Sequence, residues 1–290
     1  MLHTLKNSEL TAVIDDFGAE LTSVRRGATE YIWQANPDFW NRHAPVLFPI
    51  CGRLTDGKYT YRGKEYEMML HGFARFSQFT AKQTAENELT FTLSSNDETR
   101  AQYPFDFVLN VVYRLVGAEL ISDIIVKNTG TDRLPFAVGL HTGFNVPIEE
   151  GTRFEDYRLT FSEDCSPDHL IFSDTCYQTG KKSAFPVENG RVISLRHDLF
   201  DRDAVCLART ADEVTISSDK TERFVRFNYK NFPYLCIWHK PKCEAPYVCL
   251  EPWYGLPAFD SVVDDMDTKS DMFRMAAGDE KTFTYSILFG

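Results

Sequence analysis

Apolar side chains recur at every second position in stretches spread from one end of the chain to the other: Leu89, Phe91 and Leu93; Phe107, Leu109, Val111, Tyr113 and Leu115; Val225, Phe227 and Tyr229; Phe283, Tyr285, Ile287 and Phe289. A period of two places alternate side chains on opposite faces of an extended backbone, so each stretch reads as a half-buried strand. Asp56-Gly57, Arg62-Gly63, Gly117-Ala118 and Asn189-Gly190 supply residues that accept the positive φ of tight hairpin turns. Strands joined this way pair mostly with their sequence neighbours. No long segment carries a 3.6-residue apolar period, and the one short helix expected starts near Ser270, Asp271, Met272 and Phe273. The fold class that follows is all-β and antiparallel. Roughly twenty short strands are better housed in a sandwich of large twisted sheets than in a small barrel. A β-propeller is the alternative, weakened by the absence of a fixed repeat.

The 290 residues contain no low-complexity linker and no Pro- or Ser-rich hinge, so residues 1–290 are read as one domain. With 42 acidic against 31 basic residues the net charge is −11, which disfavours nucleic acid and anionic membrane as partners and favours a small neutral ligand. The polar start of the chain and the lack of a long apolar run predict a cytoplasmic protein. The seven cysteines show no Cys-x-x-Cys pair, so all are expected to be reduced core thiols.

Gly52 to Lys58 matches most of a phosphate-binding loop, but Tyr59 follows where Ser or Thr is needed, and Tyr59 to Gly63 continues as a strand rather than a helix. A turn is the better reading. Three other clusters embed ionisable groups among small and apolar ones: Leu70-His71-Gly72-Phe73-Ala74-Arg75, Gly139-Leu140-His141-Thr142-Gly143, and Leu250-Glu251-Pro252-Trp253-Tyr254-Gly255. Gly72 permits a ligand or another strand to come close to His71. Glu251 ends an apolar run beside Trp253 and Tyr254, a pairing of carboxylate and aromatic faces suited to a sugar. No His-x-His or His-Glu-x-x-His spacing places metal ligands on one element, and no Gly-x-Ser-x-Gly turn offers a nucleophile. Acid–base chemistry is the remaining use of these groups.

At these clusters the sequence resembles the aldose 1-epimerase (galactose mutarotase) family, in its lactose-operon-type branch. The resemblance is carried by Ala44-Pro45-Val46-Leu47-Phe48-Pro49 with Gly52-Arg53, by His71 to Arg75, by His141, by Asp203-Ala204 after Leu199-Phe200, and by Glu251-Pro252-Trp253. It implies a large antiparallel β-sandwich, the supersandwich, and interconversion of the α and β anomers of a free aldose without metal or cofactor. By resemblance Glu251 is the general base and His141 the general acid, His71 and Arg53 bind the sugar and its ring oxygen, and Asp203 binds a hydroxyl. Asp201, two positions away, would share a strand face with Asp203, and Asp198 is a more distant candidate. Related hexose-6-phosphate epimerases carry Arg-Gly-Gly where this chain has Asn41-Arg42-His43, which speaks against a phosphate site, although Arg75 and Arg42 could supply cationic donors. A hexose 6-phosphate is therefore the alternative substrate, a non-catalytic sugar-binding or sensing protein the alternative class, and a glycoside hydrolase using Glu251 and Asp203 a third possibility.

Overall fold

A computed structural model describes residues 1–290 and is almost entirely antiparallel β-structure. Two large sheets dominate. A nine-stranded sheet runs from Val192–Ser194 through Tyr157–Phe161, Glu213–Ser218, Val225–Asn228, Glu280–Phe289, Glu119–Asn128, Phe107–Val116 and Glu88–Ser94 to Thr80–Ala85. An eight-stranded sheet holds, in order, Gln178–Ala184, Asp168–Phe172, Val205–Ala208, Tyr234–Trp238, Tyr247–Tyr254, Val138–Leu140 and Val46–Leu47, with Thr142–Asn145 also on Tyr247–Tyr254. A four-stranded sheet of the first 30 residues flanks them. The result is the large β-sandwich the alternation predicts, and it contains no blade repeat.

The four alternating stretches lie in strands of the nine-stranded sheet, and their apolar positions enter a continuous core of 75 buried residues. Phe144 of the second sheet meets Phe227 of the first at 6.0 Å, so the two sheets share this core. Each fully buried aromatic contributes roughly 1.5–3 kcal/mol relative to an exposed one. Among the expected turns, Arg62 and Gly63 both take positive φ between paired strands, as do Gly117 between its strands and Asn189-Gly190 in its loop. Pairing departs from simple neighbour order in both sheets: Glu280–Phe289 inserts between Val225–Asn228 and Glu119–Asn128, and Val138–Leu140 and Thr142–Asn145 pair with the distant Tyr247–Tyr254.

Two expectations are corrected. The segment expected as a helix near Ser270 is a turn leading into the strand Phe273–Met275, because Phe273 pairs with Phe136 and Met275 with Leu134. The α-helix is instead Asp97–Gln102, six residues started by an Asn96–Thr99 capping box and too short to show a period. The cysteines are not all free: Cys206 and Cys236, 30 residues apart, face each other on adjacent strands and are joined as a disulfide. Only the sheet order makes them neighbours.

Gly72 is the tightest backbone contact in the fold. At φ 72°, a Cβ there would lie 2.2 Å from the Phe48 carbonyl oxygen, so the close approach Gly72 permits is to the Phe48 backbone rather than to a ligand. Gly63 has similar φ but open space around it. Gly72→Ala is therefore expected to cost at least about 3 kcal/mol and Gly63→Ala about 1 kcal/mol. Urea denaturation of both variants checks this; equal losses would refute the steric account.

Candidate active site

The strand Tyr247–Tyr254 is covered on both faces. Val248 and Leu250 point into the main core, while Tyr247 and Cys249 pack with Trp33 and Ala245 beneath Phe39, Trp40 and Trp238. Alternation then places Glu251 and Trp253 on the second face, inside the protein rather than in solvent. Glu251 is 2% exposed. Opposite it, the neighbouring strand is interrupted between Val138–Leu140 and Thr142–Asn145, and His141 occupies the break. Gly143, just past the break, lets Trp33 and Trp40 pack against the backbone, since a Cβ there would sit 3.0 Å from Trp33 and 3.1 Å from the Trp40 ring.

His141 Nε2 lies 3.3 Å from Glu251 Oε1. Trp40 stacks on the imidazole at 4.6 Å and 23°, Trp238 meets it edge-on at 5.4 Å, and Nδ1 is buried without a hydrogen-bond partner. Burial pushes the Glu251 carboxyl well above the usual carboxylate range, with Asp203 pushing the same way and the Trp253 indole pulling back. Burial, with Arg75 nearby, pushes His141 down to about 3. Their spacing is that of an ion pair, yet burial favours the neutral form of each group.

His71 is held differently. The His71 backbone N–H donates to the Gly52 carbonyl at 2.7 Å, and the Gly52 N–H donates back to the ring Nδ1 of His71 at 3.0 Å. A ring nitrogen that accepts from a backbone amide carries no proton, so the proton sits on Nε2. Burial, followed by His141, Arg75 and Arg53, keeps the ring well below the ordinary histidine value and neutral.

These groups line one cavity of about 310 Å³ together with Arg53, Arg75, Arg202, Asp203, Cys176 and Trp253. Every residue singled out in the sequence, from Arg53 and His71 through Arg75, His141 and Asp203 to Glu251, therefore reaches the same space. Asp203 sits in a loop at φ 80°, not on a strand, and accepts hydrogen bonds from the Cys176 thiol at 3.1 Å and from Ala204 N–H at 3.0 Å. The shared strand face expected for Asp201 and Asp203 does not exist: Asp201 caps a short 3-10 turn and Asp198 binds Arg196. Arg42 is turned away toward Glu20 and the Phe76 ring. The Arg75 guanidinium also lies 4.6 Å from the Phe76 ring centre; its Nε is buried and unpartnered, and burial, with Arg42 nearby, lowers it to about 10.

The sequence reading missed Trp40, Trp238, Arg202 and Cys176, which lack any local pattern. It also missed Lys269, which is buried, pairs with Asp264 at 3.1 Å and donates to the Pro257 carbonyl at 3.0 Å. That bond fixes Pro257 against Gly52 and so supports the wall carrying Arg53 and His71. Cys249 Sγ, His141 and Glu251 place three potential metal-ligand atoms within 4.8 Å of one another.

Solved structures of related chains share this fold. A galactose mutarotase-related enzyme from Lactobacillus acidophilus superimposes with a TM-score of 0.94 at 35% identity, covering 100% of this chain and 97% of that one. A galactose mutarotase-like protein from Lactobacillus casei gives 0.94 at 32% identity, with 100% of both chains covered. The protein is thus an antiparallel β-sandwich of the galactose mutarotase-like class. The sequence pattern described as aldose 1-epimerase matches residues 1–265, and the plasmid-encoded protein LacX of Lactococcus lactis subsp. lactis is 34% identical over 98% of this chain and 97% of its own length. The chain belongs to the aldose 1-epimerase family. No helix in it is long and apolar enough to cross a membrane.

The raised Glu251 carboxyl has a consequence for folding. A group whose pKa is higher in the folded protein stabilises the fold fully below its unfolded value, near 4.3, and that stabilisation is lost as pH rises through the folded value. Gln at the same position has no proton to keep. Glu251→Gln should therefore gain on the parent above about pH 4.3, by up to about 1.4 kcal/mol per pH unit until the folded value is passed. Denaturation curves across a pH series test this; a parent that gains on the variant instead would mean Glu251 is held as an anion.

Proposed function

We propose that the whole chain, acting as one unit, interconverts the α and β anomers of an aldose by acid–base ring opening and closure. The observation that carries the reading is the 3.3 Å contact between the Glu251 carboxyl and His141 at the base of a cavity large enough for one hexose. Glu251 takes the proton of the anomeric hydroxyl as the bond from the anomeric carbon to the ring oxygen breaks. The ring oxygen keeps that electron pair and takes a proton from His141. The open-chain aldehyde rotates about its first carbon–carbon bond, and reversal of both transfers closes the other anomer. No atom is gained or lost.

Ring opening leaves Glu251 protonated and His141 neutral, the condition that burial already favours. The ionic form that begins the cycle is reached by one proton transfer within the pair. Sugar hydroxyls donating to the carboxylate favour that form, since hydrogen bonds to the charged state lower a carboxyl pKa. His71 Nε2–H and Arg53 are donors for the sugar, Asp203 is an acceptor, and Trp253 and Trp238 offer apolar faces for the ring. The presence of both an acid and a base at contact distance favours catalysis over mere binding.

One observation favours a second reading of the substrate. Arg53, Arg75 and Arg202 line the cavity without an ion-pair partner, and the buried Arg75 Nε has no partner at all. A hexose 6-phosphate would supply the missing anion, as Arg forks suit phosphate. Mutarotation by NMR exchange across free aldoses and their 6-phosphates separates the two. Response to free sugars supports the first reading; response to phosphorylated sugars alone, lost about tenfold or more in Arg75→Gln, replaces it with the second.

Glu251→Gln is expected to lower kcat by about 10²–10⁴-fold while the sugar still binds. Polarimetry of fresh α-sugar measures it, and an undiminished rate would remove Glu251 from the reaction. A second proton enters the pair only as pH falls toward the His141 value of about 3. After subtraction of the spontaneous rate, kcat/KM should thus show no acid limb down to about pH 5, where a free histidine would already have titrated. An acid limb near 6.5 would contradict this.

A further inference from the structure

Glu251 and His141 have a third neighbour that ring opening does not use. Cys249 precedes Glu251 by two residues, shares its face of the strand and is fully buried. Its Sγ, a carboxylate oxygen of Glu251 and a ring nitrogen of His141 all lie within 4.8 Å of one another. A mixed sulfur, nitrogen and oxygen set is what zinc-class cations take, whereas Mg²⁺ and Ca²⁺ take oxygen alone. Bonds of about 2.0–2.3 Å in a tetrahedron set neighbouring donors roughly 3.3–3.8 Å apart. The His141–Glu251 separation of 3.3 Å already has that value, and rotation of the Cys249 side chain has about 1 Å or less to make up. Glu251 and His141 both face the cavity, so an ion between them has an entry path and an open fourth position for water.

We propose that Cys249, His141 and Glu251 form a binding site for a zinc-class divalent cation, and that its occupation switches the acid–base pair off. On binding, the Cys249 thiol proton and any proton on Glu251 pass to water. The cation then holds the carboxylate oxygen and the ring nitrogen that would otherwise move protons, so a cation and a productive sugar exclude each other. The sequence shows no metal spacing because the three donors come from two strands, with His141 more than a hundred positions from the other two. The binding half of this inference stands on geometry alone; the inhibitory half rests on the proposed function.

Cobalt(II) added to the full-length protein reads out binding without reference to activity, through the thiolate-to-cobalt charge-transfer band. One equivalent should produce the band, and both Cys249→Ser and Cys249→Ala should lose it. Zinc should suppress mutarotation, a chelator should restore it, and Mg²⁺ should do nothing. In the two Cys249 variants the zinc concentration for half-inhibition, measured against each variant's own zinc-free rate, should be at least tenfold higher than in the parent. If the parent gives no band, or if the band persists in both variants, the site is refuted. If the band depends on Cys249 but no sugar mutarotates, the site stands and the proposed function falls; if mutarotation is present and indifferent to zinc, the switch is refuted.

Discussion

Coverage of one strand on both faces is the constraint from which the site follows. Tyr247–Tyr254 runs through the second sheet with core on one side and the Trp33, Trp40 and Trp238 cluster on the other. A carboxyl placed on such a strand is taken out of water. It must keep its proton or find a partner, because an isolated buried charge costs far more than the fold can spare. His141 is that partner, delivered by a break in the neighbouring strand. The same burial shifts both groups toward neutrality, so a structural solution to an awkward charge is also the pair to which the proposed proton transfers are assigned.

The walls reinforce this. Cys249 shares the face of Glu251, Cys236 is its register partner on the next strand, and Cys51 is close enough for the carboxyl to raise its thiol. Sulfur offers weak hydrogen bonds, so these neighbours exclude water without satisfying an anion. The polar residues of the cavity approach from other segments: Arg53 and His71 from the Gly52 loop, Arg75 after it, and Asp203 from the loop before Val205–Ala208. Assembly of the site therefore requires most of the sandwich to be in place.

Much of this was legible in the sequence, for identifiable reasons. A period of two survives in any strand with one wet face, which is why Phe107–Val116 and Glu280–Phe289 declare themselves. Tyr247–Tyr254, buried on both faces, shows no alternation, and its importance was visible only because Glu251 interrupts an apolar run. His71 and His141 were marked by neighbouring glycines; Gly72 marks a backbone contact that a Cβ would block, and Gly143 a close approach of the Trp33 and Trp40 side chains. What escaped has no local signature. The Cys206–Cys236 bridge, the stacking of Trp40 on His141 and the Lys269 bond behind Pro257 all depend on which strands become neighbours. The Asp201–Asp203 argument failed because it assumed a strand where the chain turns.

The two histidines of the cavity differ in freedom. His71 is clamped in one tautomer by the Gly52 amide, so it presents a fixed dipole and cannot change protonation at Nδ1 without leaving a backbone donor stranded. His141 has no such clamp; its Nδ1 is free, and its plane is set by the stacked Trp40 ring and by the contact of Nε2 with Glu251. One imidazole is thus an anchor and the other a movable charge carrier. An arrangement in which the mobile proton only passes between two neighbouring side chains and a bound ligand keeps a closed proton inventory, with no demand on solvent or buffer as donor or acceptor.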